Sequence, residues 1–295
     1  VILIDRIAGD AFAAPPHMPP IDFAAPEHMP ALFAADSVAW RIMKNPVALM
    51  IGGIAAVLLE LAEPRVRTGV WDYTRFREDP VGRMRRTGYA ALVTTYAPAN
   101  AARALIARVS HMHAAIAGRT PTEVCFRADD PELLNWVQAT ASFGFCEAYH
   151  RFVHPLSGEE RDAFYAEGAP AAALYGATGA PRSEAERAAM FEAIRPKLEA
   201  SPIISEFLSI VRAAPILPRP MKPLQNLAAR AAIMILPGWA RAQLSLENYD
   251  LPLGGETTLR TIGRLADHIA VKSAPPAQAC LRMGLPATFL YRREH

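Results

Sequence analysis

The chain has 295 residues, 52% of them hydrophobic, enough to bury one large core or two small ones. Its 31 Lys and Arg stand against 29 Asp and Glu, and a net charge of +2 excludes the basic footprint of a nucleic-acid-binding protein. Three scattered cysteines, Cys125, Cys146 and Cys280, suggest neither a disulfide framework nor a thiolate metal site, and they fit a reducing compartment.

The first residues, Val1 to Arg6, lack the basic region, apolar run and cleavage site of a secretory signal, so the expected location is the cytoplasm. Residues 11–35 carry an imperfect repeat, Phe12-Ala-Ala-Pro-Pro-His-Met-Pro and Phe23-Ala-Ala-Pro-Glu-His-Met-Pro. Proline at this density blocks helix and sheet, leaving an arm that is solvated or draped over the surface. The pairs His17/Met18 and His28/Met29 offer soft-metal ligands only as a minor alternative.

Residues 46–62 form the most apolar run, short of the roughly 20 residues needed to span a bilayer. We read it as a buried core helix in which Gly52 and Gly53 admit a second helix or a flat ligand. Contact of this helix with a membrane surface is the alternative. Asp79-Pro80 opens a helix to about Tyr96, carrying Arg83, Arg86 and Thr87. A second runs from about Asn100 to Ala117, with Gly118 as its C-cap. Asp130-Pro131 opens a third, to about Phe152. Ser157 caps a fourth through Tyr165, and Ser183 with Glu186 makes a capping box for a fifth over 184–199. Ser201-Pro202 starts a sixth, two more lie within 223–246, and one lies near 257–271 before a proline-broken tail. Strand signals are weak, because Val, Ile and Thr never alternate with polar residues over a long run. The expected class is therefore mainly α, about ten helices in one multi-helix domain. The expected division is an arm at 1–35, a helical domain at 36–250, and a C-terminal helix and tail at 251–295.

Ile106, Val109, His113 and Ile116 are spaced by three, four and three, so they share a face and His113 interrupts an apolar stripe. A buried imidazole needs a partner, which is either a metal or an ordinary hydrogen-bonding group of the core. His111 points nearly opposite and is expected at the surface. Arg83 and Thr87, four apart, share a face of the preceding helix. A guanidinium beside a hydroxyl can hold an anionic group or stabilise negative charge developing on oxygen. The plainer alternative is a solvated helix on which Arg75, Arg77, Arg83, Arg85 and Arg86 crowd together.

An ordered series of segments resembles the catalytic domain shared by bacterial rubber oxygenase (latex clearing protein) and the MpaB-like fungal oxygenase. These segments are Glu63-Pro-Arg-Val-Arg-Thr-Gly-Val70, Asp79-Pro-Val-Gly-Arg-Met-Arg-Arg-Thr87, Arg108-Val-Ser-His-Met-His-Ala-Ala-Ile-Ala-Gly118 and Asp129-Asp-Pro-Glu-Leu-Leu-Asn-Trp-Val-Gln-Ala-Thr140. The resemblance covers about residues 38–245. It implies a globin-like helical core, a haem b whose iron is ligated by His113, and Arg83 and Thr87 beside the haem. Arg86 stands where rubber oxygenase has a lysine able to reach the distal side. A guanidinium is a poor iron ligand, so that side is expected to be open. The implied activity is a haem-dependent oxygenase using dioxygen on a small apolar substrate, isoprenoid or fatty-chain in character. Leu134, Trp136, Gln138, Phe143 and Phe145 are the expected substrate pocket, although aromatic residues on this helix equally suit a plain core. Two departures bear on activity. Many relatives have a histidine where this chain has Gln138, which cannot move protons near neutral pH. Many also have histidine where it has Glu63, which could serve as an acid or base if buried but is read here as an exposed residue before a turn. A haem or hydrophobic-ligand binder without catalysis, and a cofactor-free interaction domain in which His113 bonds a buried carbonyl, are the alternatives. No residue pattern sets an oligomeric state.

Overall fold

The computed structural model describes residues 14–292, so the readings made on Val1–Arg6 and on Phe12 lie outside the described residues. Among the described residues the architecture is mainly α, as expected: thirteen α-helices and one two-stranded hairpin. In chain order the helices are α1 (Val38–Met43), α2 (Pro46–Glu60), α3 (Pro64–Tyr73), α4 (Pro80–Tyr96) and α5 (Ala99–Ala114). After the hairpin β1 (Ala117–Arg119) and β2 (Cys125–Arg127) come α6 (Pro131–Phe152), α7 (Gly158–Leu174), α8 (Glu184–Ile194), α9 (Pro202–Ala213) and α10 (Lys222–Met234). The chain closes with α11 (Gly238–Gln243), α12 (Gly255–Asp267) and α13 (Pro275–Arg282).

The helix starts follow from side-chain caps, each satisfying an otherwise orphaned backbone N–H. Asp79 accepts from Gly82 N, Asp130 from Glu132 N and Ser201 from Ile203 N, each just ahead of a proline in the first turn. Ser157 and Glu160 form a reciprocal capping box. At α8 only half of the expected box forms, because Glu186 accepts from Arg182 N and not from Ser183 N.

Several ends differ from expectation. α5 stops at Ala114, and Gly118 lies in β1 opposite Phe126 and does not cap the helix. Its missing side chain makes room for the Tyr73 ring, which a Cβ there would strike. α7 runs past Tyr165 to Leu174 with Pro170 inside, since the alanine-rich stretch sustains the helix across one missing N–H. The short helices α1, α3 and α13 were not anticipated. Glu63 is not an exposed residue before a turn. It is 2% exposed, caps α3 by accepting from Val66 N at 2.8 Å, and pairs with Arg65 Nε at 2.6 Å.

The core is organised around α2 and α6, with α10 and α12 also against α2. α2 and α6 pack backbone to backbone: a Cβ on Gly52 would fall 2.7 Å from the Gly144 carbonyl, and one on Gly144 would overlap Gly52 O. Gly53 is different, with nothing within 4 Å of its would-be side chain. No single helix among the described residues is long and apolar enough to cross a membrane. The pair α2 and α3 passes on length and composition only together, bent by 110°.

The proline-rich arm is draped over the surface and not loose in solvent. Phe23 is buried edge-on against Tyr89, whose hydroxyl donates to Pro19 O and accepts from Ile21 N. Its two repeats fold as the same turn, with His17 and His28 both at positive φ. Arg282 of α13 is 1% exposed and donates to three carbonyls: Phe23 O at 2.6 Å, Met29 O at 2.8 Å, and Tyr96 O at the end of α4 at 2.8 Å.

A Gly144→Ala substitution is expected to lower the unfolding free energy by about 3 kcal/mol, since backbone and not a flexible side chain must yield. Gly53→Ala should instead raise it by up to about 1 kcal/mol through helix propensity. Urea denaturation of the two variants beside the parent protein checks both signs.

Candidate functional site

The central helices α2 and α6 are mostly buried and keep one partly accessible stripe each, whereas α4 and α5 are more exposed. On α2 it is Met50, Gly53, Val57 and Glu60, spaced three, four and three. On α6 it comprises Val137, Gln138, Ala141 and Phe145, while α4 contributes Arg83 and the exposed Thr87, and α5 contributes the half-buried Ser110 and His113. Their polar members converge. Arg83 acts electrostatically on both Glu60 and His113, and Glu60 hydrogen-bonds with Thr140 of α6. Two surface clefts, one lined by Phe33, Ser37 and Glu167 and the other by Trp71, Arg77 and Glu206, share no residue with this recess.

Glu60 ends α2, the most apolar helix, and sequence reasoning missed it. Burial pushes its carboxyl pKa up to about 7, against the opposing pull of Arg83 and of the bond with Thr140. Desolvation therefore outweighs a nearby cation. The Thr140 hydroxyl is fully buried and lies 2.8 Å from Val137 O. The hydroxyl carries a single proton, so it can donate to the ionised carboxylate only by giving up Val137 O. The only sequence signal was a carboxylate on an apolar helix face at the register of Gly53.

Arg83 and Thr87 come together as their spacing predicts. Arg83 Nη1 donates to Thr87 Oγ1, and the Thr87 hydroxyl donates back to Arg83 O at 3.0 Å. Thr87 thus aims the guanidinium. Burial lowers the Arg83 pKa, Glu60 raises it and Arg86 lowers it, yet an arginine stays charged in any protein. Arg86 turns the other way, donating to the capping carboxylate of Asp79 at 3.2 Å. Of the crowded arginines, Arg75 and Arg77 pair with Glu78 and Glu206 at the surface.

His113 lies in the last turn of α5, partly buried, while His111 is exposed. Its pKa is lowered, first by burial and then by Arg83, with Asp129 acting in the opposite sense. At neutral pH the imidazole is therefore uncharged, the form that ligates metals. Its Nδ1 is buried without a hydrogen-bond partner, so it does not rest on a core carbonyl. Among the described residues no group of three or more His, Cys, Asp or Glu side chains is placed to hold a metal ion. A single neutral histidine is, however, the one ligand that a porphyrin-held iron requires of a protein. With cationic Arg83 nearby for an acidic substituent and open space at Gly53, these residues fit a haem.

The five expected pocket residues lie on two faces of α6. Trp136 and Phe143 are 1% and 4% exposed and pack on Phe191 in the main core. Leu134 sits in a small apolar cluster with Ala172, Ala177 and Ala180. Phe145 lies beside Gly52, and Gln138 donates to Ser142 Oγ at 3.1 Å. Gln138 and Phe145 therefore belong to the accessible stripe.

A carboxyl on α2, a guanidinium on α4 and an uncharged imidazole on α5 are thus coupled electrostatically through Arg83. Residues 40–268 match the family described as ER-bound oxygenase mpaB/B'/Rubber oxygenase, catalytic domain, and the chain belongs to that family. No curated protein and no solved structure matches it. Its function is accordingly oxygenase-like.

The Glu60 pKa has a consequence for stability. Because the folded value of about 7 exceeds the ordinary glutamate value of 4.5, the native state holds a proton that the unfolded chain has lost. Stability from this group is complete below about pH 4.5 and is lost as pH rises towards 7. A pKa difference of this size corresponds to about 3 kcal/mol. Glu60→Gln should flatten that slope and make the protein more stable than the parent at pH 8. Thermal denaturation from pH 5 to 8 reads this directly, and parallel curves for the two proteins would show that Glu60 ionises normally.

Proposed function

We propose that this chain is a haem b-dependent oxygenase that uses dioxygen on a small apolar substrate of isoprenoid or fatty-chain character. The observation that carries the reading is the neutral imidazole of His113, with an unpartnered buried nitrogen, under the electrostatic influence of Arg83. His113 would be the residue that holds the iron, and Arg83 would hold an acidic substituent of the haem or stabilise negative charge beside it. When bound, a haem supplies the iron that makes dioxygen reactive towards an apolar carbon chain.

The chain's own residues do the rest. Arg83, aimed by Thr87, presents a fixed positive charge where negative charge develops on oxygen. Glu60, half protonated near neutral pH, holds or releases a proton beside it, the condition under which general acid–base catalysis is most effective. Arg86 stays on Asp79 and leaves the recess free of a competing basic side chain. The accessible faces of Val57, Val137, Ala141 and Phe145 offer an apolar lining for the substrate. Gln138, bonded to Ser142, orients but does not titrate, which favours a haem or hydrophobic-ligand binder as the second reading.

Protein produced with ample haem should show a Soret band, and its absence would remove the haem reading. His113→Ala should lose the band while His111→Ala retains it. Arg83→Ala should keep part of the haem but lose oxygen reactivity in single-turnover reaction of the ferrous protein with a polyprenoid. Full turnover by that variant would take Arg83 out of the mechanism, and unchanged polyprenoid with the parent protein would favour the binder.

A further inference from the structure

Two buried polar atoms on the inner face of α5 lack a hydrogen-bond partner, Ser110 Oγ and His113 Nδ1. They continue the line of the buried Ile106 at spacings of four and three. Side chains one helical turn apart are neighbours, close enough for hydroxyl and imidazole to meet by side-chain rotation alone. Buried polar groups are almost always paired, and two orphans side by side can satisfy one another. Of the two charged groups that act on the ring, Arg83 is donor-only and cannot accept from it, and the other is Asp129. Its carboxylate is already held by Arg127, with Nε on Oδ1 and Nη2 on Oδ2, each at 2.9 Å.

We infer that Ser110 is the positioning residue of His113, accepting a hydrogen bond from Nδ1–H and leaving the Nε2 lone pair directed at the recess. The serine proton is then free for the carbonyl of Ile106, four residues back, the usual partner of a helical hydroxyl. This fixes both the tautomer and the rotation of the ring. A ligating histidine generally gives its second N–H to such a partner, and the partner's identity tunes the ligand. A neutral hydroxyl leaves the imidazole a neutral donor, whereas a carboxylate would draw it towards imidazolate. The inference rests on the haem reading for its purpose but not for its test.

The tautomer of His113 can be read in the haem-free full-length protein from long-range nitrogen–proton correlations of the ring. The parent should be mainly protonated on Nδ1. Ser110→Ala should shift it to mainly Nε2-protonated, Ser110→Thr should restore the parent pattern, and Asp129→Asn should leave it unchanged. In haem-loaded protein, Ser110→Ala should weaken haem binding about tenfold, as loss of such partners generally does. It should also lower the frequency of the ferrous iron–imidazole stretch. An unchanged tautomer in Ser110→Ala, or a change in Asp129→Asn in its place, would overturn the assignment. Failure of every variant to bind haem would remove the haem reading and leave the tautomer to decide on Ser110.

Discussion

The backbone contact of Gly52 with Gly144 is the constraint on which the rest of the site depends. It draws the two central helices together where neither has a side chain. Two turns along α2, Glu60 meets Thr140 one turn back on α6, which makes the helices antiparallel at this crossing. The same closeness strips water from Glu60, and that loss of solvent raises its pKa against the pull of Arg83. Packing at one point of the crossing thus sets acid–base chemistry at another.

Arg83 stands at the centre of the polar arrangement. It is bonded to Thr87 on its own helix and acts on Glu60 and His113 across the recess. Its charge holds back the rise in the Glu60 pKa and adds to burial, the larger cause, in keeping His113 neutral. Each of the three groups comes from a different helix, so the site exists only when α2, α4 and α5 are assembled.

Local chemistry was legible in the sequence, and partnerships across the fold were not. Asp79, Asp130, Ser157 and Ser201 announced their helices because a cap acts within three residues of its own position. The spacing of Arg83 and Thr87 gave their pairing for the same reason, and helical geometry separated His113 from His111. Gly118 misled, because its need for bare backbone comes from Tyr73, a residue 45 positions earlier. Glu63 misled similarly: a glutamate before proline looks like a turn until the folded chain buries it. Glu60 passed unnoticed because a carboxylate ending an apolar helix has no chemistry of its own. Its pKa comes from Arg83, Thr140 and the loss of water, all supplied by tertiary contacts.

The Arg282 guanidinium ties together pieces that the family match leaves out. The matched segment spans residues 40–268, whereas Phe23, Met29 and Arg282 all lie beyond it. Yet the third carbonyl in that knot, Tyr96 O, ends the helix that begins with Arg83 and Thr87. The flanks therefore act as the lid on one end of a beam whose other end carries the site. A fragment trimmed to the matched segment would deprive Tyr96 O of its Arg282 donor and leave the Tyr89 face bare.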